Sequence, residues 1–339
     1  MCMTFLNTPI MAEANFRYGG VVRTNLYAGS IALALIASIG STWPTFAQPV
    51  AKVNSGTMER MENVSSKHVD PRHIDVWLPE GYNAQKRYSV VYMQDGQNLF
   101  DVALAYGGNA WHADQAVTRL MRSGRIADTI IVGIWNNGMQ RYAEYYPEKV
   151  LAFAPGATRR EYVDQASNGR SQADAYLRFI VEELKPAIDR KYATNAGQES
   201  TFIVGSSMGG LISIYALCEY PQVFGGAAGL STHWIGKPTA WGRERIRNAA
   251  LPLAAMTYLS RALPVAGNHR IYTDRGDDWL DSLYQPAHRF VEEVLRDRGY
   301  TEVDSMTRIF HGTGHGERDW AARLDGVLVF LMGRKSGDK

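Results

Sequence analysis

The sequence predicts an α/β fold, with a mostly parallel central sheet flanked by helices and an antiparallel hairpin at its N-terminal edge. Three observations predict it. Apolar, β-branched runs of strand length alternate with stretches of helical periodicity. The alternation runs on from about residue 56 with no repeat, low-complexity linker or change of composition, which points to a single domain. Two short half-apolar stretches, 58–65 and 72–78, precede it and suit the hairpin. The strand-like runs that follow are 88–94, 129–134, 201–205, 226–231, 269–274 and 305–310. Helical periods lie between them, at Leu177, Ile180, Leu184 and Ile188, then Leu211, Ile214, Tyr215 and Cys218. Two more follow, at Ala287, Phe290/Val291 and Val294/Leu295, and at Trp320, Leu324, Val327/Leu328 and Leu331. A ligand of such an open sheet binds at the carboxyl ends of the strands, so chemistry is expected there.

The 339 residues carry 36 Lys+Arg against 34 Asp+Glu, a formal charge of +2, and this balance disfavours a phosphate-gripping nucleic-acid binder. Cys2 and Cys218, two cysteines in all, can build neither a disulfide framework nor a Cys-ligated zinc site. From Thr24 to Trp43 no charge occurs, Arg17 and Arg23 precede the run, and small residues at Thr45 and Ala47 suit signal peptidase. Residues 1–47 are therefore expected to be a cleaved signal peptide and 48–339 the catalytic domain, exported to a bacterial periplasm or beyond. An uncleaved anchor helix is the rival, but Gly29, Ser30 and Gly40 leave fewer good apolar residues than the ~20 a span requires. No membrane span is expected in the mature chain.

At the end of the run 201–205 stands Gly205-Ser206-Ser207-Met208-Gly209-Gly210, followed at once by a helical period. This is G-x-S-x-G between strand and helix. Reversal in so few residues forces a strained backbone on Ser207 and pushes its hydroxyl outward, while flanking glycines avoid a clash. A phosphate loop is the rival reading, yet neither G-x-x-x-x-G-K-[ST] nor G-x-G-x-x-G occurs. A serine hydroxyl needs a base, and a base needs an acid. His315, in His311-Gly312-Thr313-Gly314-His315 after the last strand, is the favoured base, with His311 next. His68, His73, His269 and His288 are expected on exposed surfaces; His112 and His233 suit either the cleft or a solvated loop. The acid should come from Gly276-Asp277-Asp278-Trp279-Leu280-Asp281. Asp281 is preferred, Asp278 follows, and Asp277 stays open. The backbone N–H groups of Gln97 and Met208 are the expected oxyanion donors, with Gly96 permitting close approach. No H-E-x-x-H or similar ligand set occurs, so neither metal nor cofactor is expected.

With these residues assembled, the chain resembles the esterase D-like family of α/β-hydrolases, which includes siderophore, feruloyl and acetylxylan esterases, S-formylglutathione hydrolases and mycolyltransferases. The resemblance spans Val76-Trp77-Leu78-Pro79, Asp95-Gly96-Gln97-Asn98-Leu99-Phe100-Asp101, Ala110-Trp111, Arg141, Glu144, Tyr145 and Pro147, then Gly205–Gly210, His315, Glu317 and Trp320. It implies an α/β-hydrolase fold with Ser207 as nucleophile and His315 as base. Many relatives carry their carboxylate three residues after the glycine, where this chain has Trp279; a two-residue longer loop would restore Asp281. The expected function is a serine ester hydrolase acting on an exported siderophore, feruloyl or acetyl-sugar ester. Acyl transfer to a sugar hydroxyl with the same triad, or non-catalytic binding of siderophore or glycan, are the alternatives. The stretch 233–268, with Trp234, Trp241, Met256 and Tyr258 among Arg243, Arg245 and Arg247, could wall the substrate site or pack on the core.

Overall fold

The computed structural model describes residues 48–236 and 249–333. The expected signal peptide, together with Trp241, Arg243, Arg245 and Arg247, lies outside these residues. Among the described residues eight strands form one sheet: β1 (Thr57–Val64), β2 (Arg72–Leu78), β3 (Ser89–Gln94), β4 (Thr129–Ile134), β5 (Thr201–Ser206), β6 (Gly226–Leu230), β7 (Arg270–Gly276) and β8 (Ser305–Phe310). Their order across the sheet is β1-β2-β4-β3-β5-β6-β7-β8. β1 pairs with β2 and β2 with β4 antiparallel; every later pairing is parallel. The expected hairpin is therefore present, but of its two strands β1 alone is an edge, since β2 also pairs with β4.

The α-helices among the described residues are α1 (Ala113–Arg122), α2 (Arg141–Tyr145), α3 (Glu148–Leu151), α4 (Gly156–Ala166), α5 (Ala173–Arg178), α6 (Lys185–Lys191), α7 (Met208–Glu219), α8 (Ala250–Ala262), α9 (Gln285–Asp297) and α10 (Glu317–Met332). A π-helical turn, Phe179–Leu184, joins α5 to α6. Because strand side chains alternate, each central strand feeds two cores. Val90 and Tyr92 of β3 pack with α5 to α9, whereas Val91 and Met93 pack with α1 and α10. That two-sided burial explains why these strands read as unbroken apolar runs; each buried aliphatic side chain contributes roughly 1.5–3 kcal/mol.

Two differences from the sequence expectation have a packing cause, and one open alternative is decided. On α9, His288 faces the core and Phe290 is exposed, so the apolar stripe is shifted by one position in its first turn. His269, also expected at the surface, is buried, with Nε2 between Gln198 and the Pro221 carbonyl. Trp234, Met256 and Tyr258 of the 233–268 stretch pack into the core, and the Tyr258 hydroxyl donates to Glu219. These three form no substrate wall.

Between β3 and β5 the strand order reverses, because the chain steps out to β4 and returns. This switch point opens a crevice at the carboxyl ends of β3 and β5. One wall is tied down by a buried ion pair: Arg72 of β2 donates from Nη1 and Nη2 to both Glu144 oxygens of α2, at 2.8 and 2.6 Å. The Arg72 guanidinium also lies 5.0 Å from the Tyr176 ring centroid. Arg72→Met should strand the Glu144 charge and cost about 3–5 kcal/mol in chemical denaturation, whereas Arg72→Met with Glu144→Leu should recover most of that loss. Equal losses in the single and double variants would refute a dominant charge-burial cost.

Candidate active site

Ser207 follows β5 and precedes α7 with φ 54° and ψ −123°, a conformation that L-residues rarely adopt. Two hydrogen bonds hold it there: its N–H donates to the Leu230 carbonyl (2.8 Å) and its carbonyl accepts from His233 N–H (3.1 Å). The turn is so tight that a Cβ on Gly205 would stand 2.4 Å from the Gly209 carbonyl, which only glycine permits. The hydroxyl consequently stands above the strand end at the tip of a helix.

The structure brings three of the expected residues into one line. His315 Nε2 lies 2.9 Å from Ser207 Oγ, and His315 Nδ1 lies 2.7 Å from Asp281 Oδ1. Asp281 is wholly buried on a short 3-10 helix, Trp279–Tyr284, that turns it inward. Burial alone would raise its carboxyl; the hydrogen bond and charge of His315, the Ser231 hydroxyl and Gly276 N–H outweigh it and hold the group below the usual range. The other carboxylates of that loop point elsewhere. Asp277 accepts from His311 Nδ1 (2.6 Å) and Gly312 N–H (2.8 Å), and Asp278 caps the 3-10 helix through Trp279 N–H (2.8 Å).

Gln97 sits in the 3-10 turn Gly96–Asn98 directly after β3, and Met208 is the first residue of α7, where helical N–H groups have no intrahelical partner. An added Cβ at Gly96 would come 2.6 Å from Gly133, so the turn lies flat on β4. The Gln97 side chain accepts from Asn136 N–H (3.2 Å), which leaves its own N–H as the group the turn can offer. Beneath it, Asp95 receives both Arg141 Nε and Nη2 (2.8 Å each) and Asn136 Nδ2 (2.7 Å). The Glu317 carboxyl, at the start of α10, is raised by burial and by neighbouring Asp95. No group of three His, Cys, Asp or Glu side chains among the described residues is placed to hold a metal ion.

Sequence reasoning missed Tyr284 beside the nucleophile, and His233 stands with it. The Tyr284 hydroxyl lies 2.7 Å from His233 Nδ1, while His233 Nε2 lies 3.1 Å from the Gly236 carbonyl. A carbonyl only accepts, so Nε2 carries the proton. Burial, then repulsion from His315, pushes the His233 imidazole down to about 3, so it is neutral and Nδ1 is an acceptor. Tyr284 must therefore donate to Nδ1. With its one proton spent there, it has none to offer an oxyanion. His233, weighed between cleft and solvated loop, is thus a buried member of the site.

A family model described as "Putative esterase" matches residues 65–331. The chain belongs to this esterase family. Its class is that of a carboxylic ester hydrolase, and its fold is that of the α/β-hydrolase-like esterases. YbbA of Bacillus subtilis, an uncharacterized protein, is 21% identical over 280 residues, 80% of this chain and 97% of its own length. The ferri-bacillibactin esterase BesA of the same organism is 26% identical over 169 residues, 48% of this chain and 54% of its own. The solved ferulic acid esterase AmCE1/Fae1A of Anaeromyces mucronatus, in complex with ferulic acid, aligns with a TM-score of 0.57 at 19% identity, covering 82% of this chain and 91% of that one. No helix among the described residues of this esterase is long and apolar enough to cross a membrane.

Its buried histidines set an acid sensitivity. Burial, then the Arg275 charge, pushes His288 down to about 4 from 6.5, and His233 behaves likewise. The unfolded chain therefore binds more protons as pH falls from about 6.5 towards 4, and the stability from keeping these rings neutral, full above that window, is lost within it. His288→Leu should lose less melting temperature between pH 7 and pH 4 than the native esterase. Parallel Tm curves would exclude His288 as a source.

Proposed function

We propose that this esterase works through an acyl-enzyme on Ser207, with His315 as base, Asp281 as the acid that holds it, and the N–H groups of Gln97 and Met208 as oxyanion donors. The observation that carries the reading is the continuous line from Asp281 Oδ1 through the imidazole to Ser207 Oγ, with spacings of 2.7 and 2.9 Å. His315 Nε2 takes the hydroxyl proton as Oγ bonds to the ester carbonyl carbon, and Asp281 stabilises the imidazolium that results. The carbonyl oxygen takes up negative charge beside the first N–H groups of α7, where the helix dipole is positive. Collapse breaks the ester C–O bond, and the proton passes from Nε2 to the departing alcohol. Water then adds to the acyl carbon by the same steps reversed, giving its proton to His315 and releasing the acid.

For the substrate, BesA is named for a ferri-bacillibactin ester and AmCE1/Fae1A for ferulic acid. An ester of siderophore or feruloyl type, met after export, is the class we assign to this chain, and the uncharged run from Thr24 to Trp43 supports that export. Ser207→Ala should lower turnover of a chromogenic short-chain ester by about ten-thousand-fold or more, with an unchanged melting temperature and no fluorophosphonate labelling. Undiminished turnover would remove Ser207 from this role. Feruloyl esters, acetylated sugars and ferric catecholate siderophores, assayed side by side on the purified protein, decide the acyl group.

A further inference from the structure

A buried polar chain runs behind the Asp281 carboxylate. Ser231, the residue after β6, has φ 43° and no exposure. Its Oγ lies 2.9 Å from Trp320 Nε1, 3.4 Å from Arg323 Nη1 and 2.5 Å from Asp281 Oδ2. An indole N–H and a guanidinium can only donate, so Ser231 accepts from both and its single proton is left for Asp281 Oδ2. Gly276 N–H donates to the same oxygen at 2.6 Å. Oδ2 is thus satisfied from behind, and Oδ1 is left for His315.

Ser231 is itself clamped. Its N–H donates to Asp274 Oδ1 at 2.8 Å, and that oxygen also receives Arg323 Nη1 at 2.9 Å. Tyr272 donates its hydroxyl to the other Asp274 oxygen at 2.9 Å. The titratable and charged groups around Ser231 are therefore Asp274 and Tyr272 from β7, Arg323 from α10, and Asp281 with His315 beyond it. Arg323 and Asp274 compensate one another, and both are buried to within 2%. The strain of a serine at positive φ, of order 1–3 kcal/mol, persists because these partners over-determine it.

We propose that Ser231 is a positioning residue for the esterase reaction: its directed hydroxyl, set by Trp320 and Arg323, fixes which Asp281 oxygen faces the base and keeps that carboxylate a weak proton acceptor. The inference rests on the acyl-enzyme reading above. Without the hydroxyl, Asp281 keeps one donor fewer, holds the proton on the imidazole more tightly, and rotates more freely about its carboxyl axis.

Two variants separate this role from folding. Ser231→Gly removes the hydroxyl but suits φ 43°, so its melting temperature should equal or exceed that of Ser231→Ala. Fluorophosphonate titration of native protein and both variants counts competent sites. Per titrated site, kcat/KM on a p-nitrophenyl ester should fall about 10- to 100-fold in both, mostly in kcat, and the acid limb of the pH profile should move to higher pH. An unmoved limb with kcat/KM per site within twofold of native would overturn the proposal and leave the acyl-enzyme reading standing. Failure of the native protein to label would overturn both.

Discussion

The structure depends on one backbone constraint, the reversal of the chain from β5 into α7 with Ser207 at its apex in a disfavoured conformation. That reversal is possible because Gly205 admits Gly209 to a distance no side chain would allow, and because Leu230 and His233 hold Ser207 from the neighbouring strand. The reward is geometric: a hydroxyl that sits free of the strand, above the first turn of a buried helix. Positive φ recurs at non-glycine residues after other strands of the same edge, at Asp95 after β3, Ser231 after β6 and Trp279 after β7. Strain is gathered where the chemistry is proposed and is borne by the buried central strands behind it.

Around that apex, charges are arranged in opposed pairs so that few are left uncompensated. Arg141 meets Asp95 on the β3 side, Arg323 meets Asp274 on the β7 side, and Arg72 with Glu144 fastens β2 to α2 beneath. Such pairs gain little net stability, because burying them forfeits hydration. Their use here is orientation. Each guanidinium can only donate, so every hydroxyl and amide next to it has its hydrogen-bond direction dictated, and the direction propagates through Ser231 to Asp281. On the opposite side the Gly236 carbonyl does the same through His233 to Tyr284.

Much of this was legible in the chain. The alternating apolar runs gave the strands to within a residue or two, and the Gly205–Gly210 motif placed the nucleophile candidate because its spacing has a local steric reason. His315 was legible from its glycine-released position after the last strand. The loop of three aspartates was less so: Asp277, Asp278 and Asp281 are alike in type and neighbourhood, and only the 3-10 turn beginning at Trp279 aims one inward, one at a helix end and one at His311. The swap of His288 for Phe290 on α9 was hidden for a related reason, since periodicity counts apolar residues and a neutral, buried imidazole counts as polar.

By itself, then, the sequence determined the α/β alternation, the elbow and the residue types that serve it, because these follow from interactions between near neighbours along the chain. Tertiary structure alone decided which carboxylate meets His315, and it alone brought Ser231, Tyr284 and His233 alongside. Ser231 touches Trp320 across 89 positions and Asp281 across 50. A lone serine after a strand has no period or spacing to mark it, and its role exists only once the folded sheet has carried those distant donors and acceptors to it.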